Sequence, residues 1–221
     1  ALVSLVESEA DLGERMEIPR AEVRLDRLTL EGRPTFLRMV PHHGESAEFL
    51  SSLGFNPVWV RDVSDRDLIR KLSQQGIATM ATPPEAVFAN GGENPAEQVS
   101  MLPFEKGLDP VVFWMLGNGI SAEERKKLIQ WVDQIKDADR KLSRPLLADI
   151  TGLEKIYSRY IPLMGLSRPV LNSSLGYRDY RDWLTERQKL ARPGTFAWTW
   201  IQTDPISEIV KSRNSLLQTP V

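Results

Sequence analysis

Along the chain, short apolar runs that end in polar, Gly or Pro residues alternate with amphipathic stretches of helical period. Residues 22–40 read as a hairpin leading into a strand. Val23 and Leu25 alternate, Leu28 and Leu30 alternate after a one-residue slip, and Glu31-Gly32 supplies a turn. Seven apolar runs then predict buried strands: Thr35–Val40, Asn56–Val60, Ile77–Ala81, Val111–Leu116, Pro145–Ala148, Ile161–Leu166 and Phe196–Ile201. The intervening periodicity predicts helices over Ser46–Leu53, Asp65–Gln75, Ala122–Leu142 and Tyr177–Leu190, a short helix over Leu153–Tyr160, and a last one over about Ile206–Leu217. Gly54 and Gly76 close the first two, and Ser64-x-x-Asp67 and Ser121-x-x-Glu124 read as capping boxes. Residues 85–109 carry Gly91-Gly92 and Pro95. They are expected to form a rim loop over a pocket, with at most a short helix around Ala96–Met101.

Strands that alternate with helices pair in parallel through right-handed crossovers. Polar residues gather at the strand C-termini and no GxGxxG follows the first strand. The expected fold is therefore α/β, a (β/α)₈ TIM-barrel-like domain with an N-terminal hairpin, rather than a doubly wound sheet. Seven strands are visible in 221 residues, whereas an eight-unit barrel takes ~250. The eighth strand is expected beyond Val221 or from Leu2–Val6. Residues 1–21 form an N-terminal segment, and residues 22–221 a barrel domain expected to continue in a larger parent chain.

Composition narrows the function. The chain has 28 Lys and Arg against 30 Asp and Glu, a net charge of −2, which argues against a nucleic-acid partner. The longest uncharged stretches, Leu72–Pro84 and Pro110–Ala122, fall short of the roughly 18 residues of a membrane-spanning helix. Without cysteine there is no disulfide, thiolate zinc site or cysteine nucleophile, and with two histidines and no HExxH no histidine-rich metal site is expected. No cofactor is expected either. No basic residues precede Leu2–Val6, so the N-terminus does not read as a signal peptide, and the chain reads as a processed piece of undefined compartment.

Four segments carry a resemblance. Leu30-Glu31-Gly32-Arg33-Pro34-Thr35-Phe36-Leu37-Arg38 resembles the first barrel strand of barrel-type glycoside hydrolases. Leu53-Gly54-Phe55-Asn56-Pro57-Val58 resembles their second strand and Val112-Phe113-Trp114-Met115-Leu116-Gly117-Asn118 their fourth. Trp198-Thr199-Trp200-Ile201 sits where their seventh falls. The resemblance implies a carbohydrate ligand at the C-terminal rim and an extracytoplasmic location. It also implies two carboxylates, an acid after strand four and a nucleophile ending strand seven. This chain departs at both places: Gly119 follows Asn118, and no Glu lies between Glu186 and Glu208. Catalytic residues are thus unassigned, with Asp149 and Asp204 the remaining candidates. The alternative is a non-catalytic barrel serving as a saccharide-binding or structural module of a larger protein.

The candidate binding residues are His42, His43, Arg61, Asn118, Trp200 and Gln202. His42 and His43 end strand one on opposite faces, so only one can meet the pocket. Asp62, Asp149 and Asp204 each follow a strand, either to cap the next helix or to face a ligand. Trp198 and Trp200 share a face; they and Trp59 and Trp114 either fill the core or stack on sugar rings. Gln202 shares the Trp200 face as a hydroxyl partner. Arg61 is expected to meet a carboxylate, Asp149 or Asp204.

Overall fold

The computed structural model describes residues 20–24, 27–86, 101–168 and 176–201. Two sheets are present. β1 (Ala21–Arg24), β2 (Arg27–Leu30) and β3 (Arg33–Pro34) form a small antiparallel sheet. β4 (Val40–Pro41), β5 (Val58–Val60), β6 (Thr79–Ala81), β7 (Val111–Met115), β8 (Leu146–Asp149), β9 (Leu163–Gly165) and β10 (Phe196–Trp198) form a seven-stranded sheet in chain order, every neighbouring pair parallel. Between the strands lie α1 (Ala47–Ser52), α2 (Arg66–Gln74), α3 (Arg125–Ala138), α4 (Glu154–Tyr157) and α5 (Tyr177–Lys189).

The strands read as continuous apolar runs because both faces of the sheet are covered. Val58, Val60, Ala81, Leu146, Ala148 and Met164 lie in a core shared with Ile69 and Leu72 of α2 and Leu128, Val132 and Ile135 of α3. The alternate positions, among them Trp59, Met80, Phe113, Met115, Leu147, Leu163 and Trp198, turn to the concave interior. Leu28 of the hairpin packs into that interior as well, with Val23 and Leu30 against it.

The expected closed (β/α)₈ barrel is not what forms. The sheet is a curled half-barrel: β4 and β10 are both edges, and no strand joins them among the described residues. Two causes can be named. Residues 33–35 stay with the small sheet, where the Thr35 N–H reaches the Leu28 carbonyl at 3.0 Å, so the run predicted over Thr35–Val40 contributes only Val40–Pro41 to the large one. Pro41 also lacks the N–H that a further ladder would need at this edge. In place of a ladder, side chains bring the flanks together: Trp59 of β5 stacks on Trp200, just past β10, with ring centroids 6.2 Å apart.

Local chemistry explains the helix boundaries. α2 ends in two crossed bonds, Gly76 N–H to the Ser73 carbonyl at 2.9 Å and Ile77 N–H to that of Leu72 at 3.0 Å, which require the φ of +69° that Gly76 adopts. Its cap is Asp65, whose carboxylate accepts the Leu68 N–H at 3.0 Å, and not the predicted Ser64. The Ser121–Glu124 box forms only in part. Glu124 Oε2 accepts the Ser121 N–H at 2.8 Å, but the Ser121 hydroxyl turns to the same oxygen, and the helix begins at Arg125. Residues 101–109 descend toward the start of β7, with a single 3₁₀ turn over Lys106–Leu108 and Phe104 packed on Trp114. The expectations for Leu2–Val6, residues 87–100, Asp204, Gln202 and the helix over Ile206–Leu217 lie outside the described residues.

At the N-terminal end of the large sheet, Arg144 is buried and ion-paired to buried Asp139. It donates to the Leu108 and Val111 carbonyls and lies 4.5 Å from the Trp114 ring centroid, while the Trp114 indole N–H donates to Asp139 at 3.1 Å. Every polar group of the pair is answered, as burial of charge requires.

One position controls how closely β8, β9 and β10 approach. A Cβ on Gly165 would stand 2.7 Å from the Asp149 Cα and 2.7 Å from the Trp198 ring. Gly165→Ala is expected to destabilise the fold by about 1–3 kcal/mol through overpacking, read as a lower urea midpoint at unchanged m-value.

Candidate functional site

The C-terminal ends of the strands of the large sheet form a rim, and four predicted residues, Arg61, Asn118, Asp149 and Trp200, gather there. Trp200 is half-buried and fixed twice: its backbone N–H donates to the Ser167 hydroxyl at 3.0 Å, and its indole Nε1–H donates to Asn118 Oδ1 at 2.9 Å. Beneath it, Trp198 meets Trp200 edge-on, with centroids 5.2 Å apart. Trp198 is buried, with its own indole N–H on the Leu163 carbonyl, so it is core. Trp114 is also core, on the helix side of the sheet.

Arg61 extends the Trp200 and Trp59 rings into a stack. Its guanidinium carbon lies 5.2 Å from the Trp59 centroid, on a ring whose Nε1–H is held by the Thr82 hydroxyl at 3.0 Å. Of the two carboxylates expected for Arg61, Asp149 makes no ion pair with it and Asp204 lies outside the described residues; among the described residues an indole face takes its charge. Trp59 is 7 % exposed, so it backs Trp200 and offers no open face of its own.

Asp149 ends β8 on the interior face, beside Leu147 in the strand alternation. It is buried, and its Oδ1 accepts the Ser167 N–H at 3.0 Å. Desolvation pushes its pKa above the ordinary 3.8, against hydrogen bonds from the Ser167 side chain and from the Gly119 and Ser167 backbones that act the other way. The carboxylate therefore ties the loop after β7, which carries Asn118, to the loop after β9, whose Ser167 holds Trp200. Asp149 acts as a positioning residue for the pair above it.

Beside this pair a cleft of about 390 Å³ opens, bounded by Asn118, Leu116, Glu85, Glu124, Lys127 and Trp131. Trp131 is half-buried and oriented by its Nε1–H on the Pro84 carbonyl at 2.8 Å. Asn118 is the one residue common to the cleft and the tryptophan stack.

The remaining predicted residues stay local. His42 follows β4; its Nε2–H donates to the Glu45 carbonyl at 3.0 Å and its backbone N–H to that of Trp59. His43 is exposed, and its backbone N–H donates to Glu45 Oε2. Asp62 accepts the Ser64 N–H at 2.8 Å, a bond that holds its pKa below the ordinary carboxylate value and closes the turn before α2. Ser167 and Trp131 carry no sequence signal as strong as their role. Ser167 follows β9 as Asp149 ends β8, and that polar residue past a strand end is the available clue. No group of three or more His, Asp and Glu that could hold a metal ion occurs among the described residues, and no described helix is long and apolar enough to cross a membrane.

The buried Asp149 gives stability a defined pH dependence. A carboxyl whose folded pKa is raised keeps its proton longer folded than unfolded. Its contribution is therefore fully present below 3.8 and is lost as pH rises through the folded value. Asp149→Asn keeps an acceptor for the Ser167 N–H and removes the titration. Melts across the acid-to-neutral range should show wild type losing stability relative to this variant as pH rises, and parallel curves would assign the dependence elsewhere.

In comparison with known proteins, no family model matches the chain and no curated protein matches it.

Proposed function

We propose that the rim of the half-barrel binds a saccharide without hydrolysing it. The observation that carries this reading is Trp200, a half-exposed indole held at both its backbone and ring nitrogens, with a cleft beginning at its partner Asn118. Sugar rings present apolar C–H faces that stack on indoles and hydroxyls that need nearby polar groups. Asn118 retains its amide donors, and Glu85, Glu124 and Lys127 supply charged hydroxyl partners along the cleft. The resemblance to barrel-type glycoside hydrolases in the segments around Leu30, Leu53, Val112 and Trp198 supports the same ligand class.

The chemistry of the rim favours binding over catalysis. General acid–base help is worth roughly 10²–10⁴-fold and needs a group able to give or take a proton at the bond cleaved. Gly119 stands where the resemblance places the acid, with no side chain to carry a proton; with the alignment shifted by one residue the position falls to Asn118, whose amide has no dissociable proton at neutral pH. Asp149, the buried rim carboxylate, is occupied with the Ser167 and Gly119 loops and has no second carboxylate facing it among the described residues. Across a retaining site two carboxylates stand ~5–5.5 Å apart.

The test is titration calorimetry with a panel of neutral and acidic oligosaccharides, alongside hydrolysis of aryl glycosides. Trp200→Ala is expected to weaken binding by roughly tenfold or more, about 1.4 kcal/mol, and Asn118→Ala by less. No turnover is expected on any substrate. Robust turnover abolished by Asp149→Asn in a folded protein would overturn the non-catalytic reading. Absence of binding across the panel would overturn the carbohydrate reading.

A further inference from the structure

Two clefts larger than the one at the rim lie at the opposite end of the sheet. One, of about 590 Å³, is bounded by all four residues of β1, by the C-terminal end of α3, and by Pro145, Pro162 and Thr195 at the starts of β8, β9 and β10. The second, of about 690 Å³, runs past Lys155 and Leu190. Arg159, Arg192 and Pro193 border both, so the two are one continuous groove.

The charge of this groove departs from that of the chain. The protein as a whole is nearly balanced, at 28 cationic against 30 anionic residues. Here the carboxylates are already taken: Glu22 pairs with Arg24 at 2.9 Å and Asp139 with Arg144, while Lys189 turns to Glu186. That leaves Lys136, Lys155, Arg159 and Arg192, all exposed, with no carboxylate partner among the described residues. Lys136 rests against the Tyr160 ring, 6.0 Å from its centroid.

A second observation comes from the backbone. β1 is an edge strand; it pairs with β2 on one side and with nothing described on the other. The groove is bounded by β1 and by no residue of β2 or β3, so the unpaired edge faces it. An edge of free N–H and C=O groups is a template for an added strand, and main-chain pairing of that kind suits an extended polypeptide rather than a polysaccharide or a free phosphate.

We propose that this groove binds an extended acidic peptide segment of a partner protein. The peptide adds to the free edge of β1 while its Asp or Glu side chains meet Arg159, Arg192, Lys155 and Lys136. The two arginines stand at the junction of the clefts, where a planar guanidinium can take a carboxylate through two hydrogen bonds. Pro145, Pro162, Pro193 and the Tyr160 ring give the backbone an apolar floor. The surface is independent of the saccharide reading, since it lies at the other end of the strands.

The experiment is fluorescence anisotropy with a labelled, about twelve-residue peptide in which Glu alternates with Thr and Ala, so that every residue carries the N–H that pairing with β1 uses. Binding is expected at ~25 mM salt, weakening as salt rises. The double variant Arg159→Glu with Arg192→Glu should lose roughly tenfold or more in affinity, with circular dichroism and the thermal midpoint unchanged because both side chains are exposed. The double variant Lys71→Glu with Lys126→Glu alters net charge equally at a distance and should leave affinity within about twofold. Trp200→Ala should leave it unchanged. Equal losses in both double variants would reduce the effect to net charge and overturn the proposal. So would failure to bind at low salt, or preference for a heparin-type oligosaccharide or inorganic phosphate over the peptide.

Discussion

β8, β9 and β10 can lie as close as they do only because residue 165 has no side chain. The space a Cβ would take is filled by the Asp149 backbone and the Trp198 ring, both within van der Waals reach. This approach places the end of β8 under the end of β10, and the rim is assembled from that contact outward. Asp149 reaches Ser167, Ser167 holds the Trp200 backbone, and the Trp200 indole reaches Asn118 on the loop after β7. Three loops, those after β7, β9 and β10, are thereby linked to the end of β8 through side chains of ordinary size.

The two ends of the sheet are stabilised in different ways. At the N-terminal end, Arg144 and Asp139 form a buried ion pair satisfied by the Leu108 and Val111 carbonyls and the Trp114 indole, joining the end of α3 to the start of β7. At the C-terminal end the polar groups lie in loops and at the end of β8, whose carboxylate burial penalises. The base of the half-barrel is a satisfied polar network, and the rim gives up stability where Asp149 is desolvated. Binding residues on a rim supported by a firm base follow the usual division between scaffold and site.

Much of this architecture is legible in the sequence. Parallel strands covered on both faces leave uninterrupted apolar runs, and runs such as Val111–Leu116 and Pro145–Ala148 mark β7 and β8 to within a residue or two. Closure is not legible, because it depends on whether β4 and β10 share a ladder, a property of neither segment alone. Helix starts fail where two polar residues compete: at α2 the carboxylate of Asp65 reaches the first free N–H groups, and Ser64 loses the cap. Period-two spacing places Trp198 and Trp200 on one face. The contact of Trp200 with Asn118, 82 residues away, requires the fold itself. For Arg61, charge alone calls for a carboxylate, whereas among the described residues its partner is the face of Trp59, two residues back on the same strand side.

An incompletely closed sheet has two ends at which its hydrogen bonds can come undone. β4 offers only two residues to its single neighbour and β10 only three. Just inside those edges, Trp59 of β5 and Trp200 past β10 meet, with centroids 6.2 Å apart and planes inclined by 21°. Two indoles at that separation share their electronic transitions, so they give the protein an internal optical signal of the distance between β5 and the segment after β10. The near-ultraviolet dichroism of Trp59, Trp198 and Trp200 follows aromatic packing at this open side, whereas the helices dominate the far-ultraviolet signal. Packing across the open side of the sheet and helix content are thus separately observable in the unmodified chain.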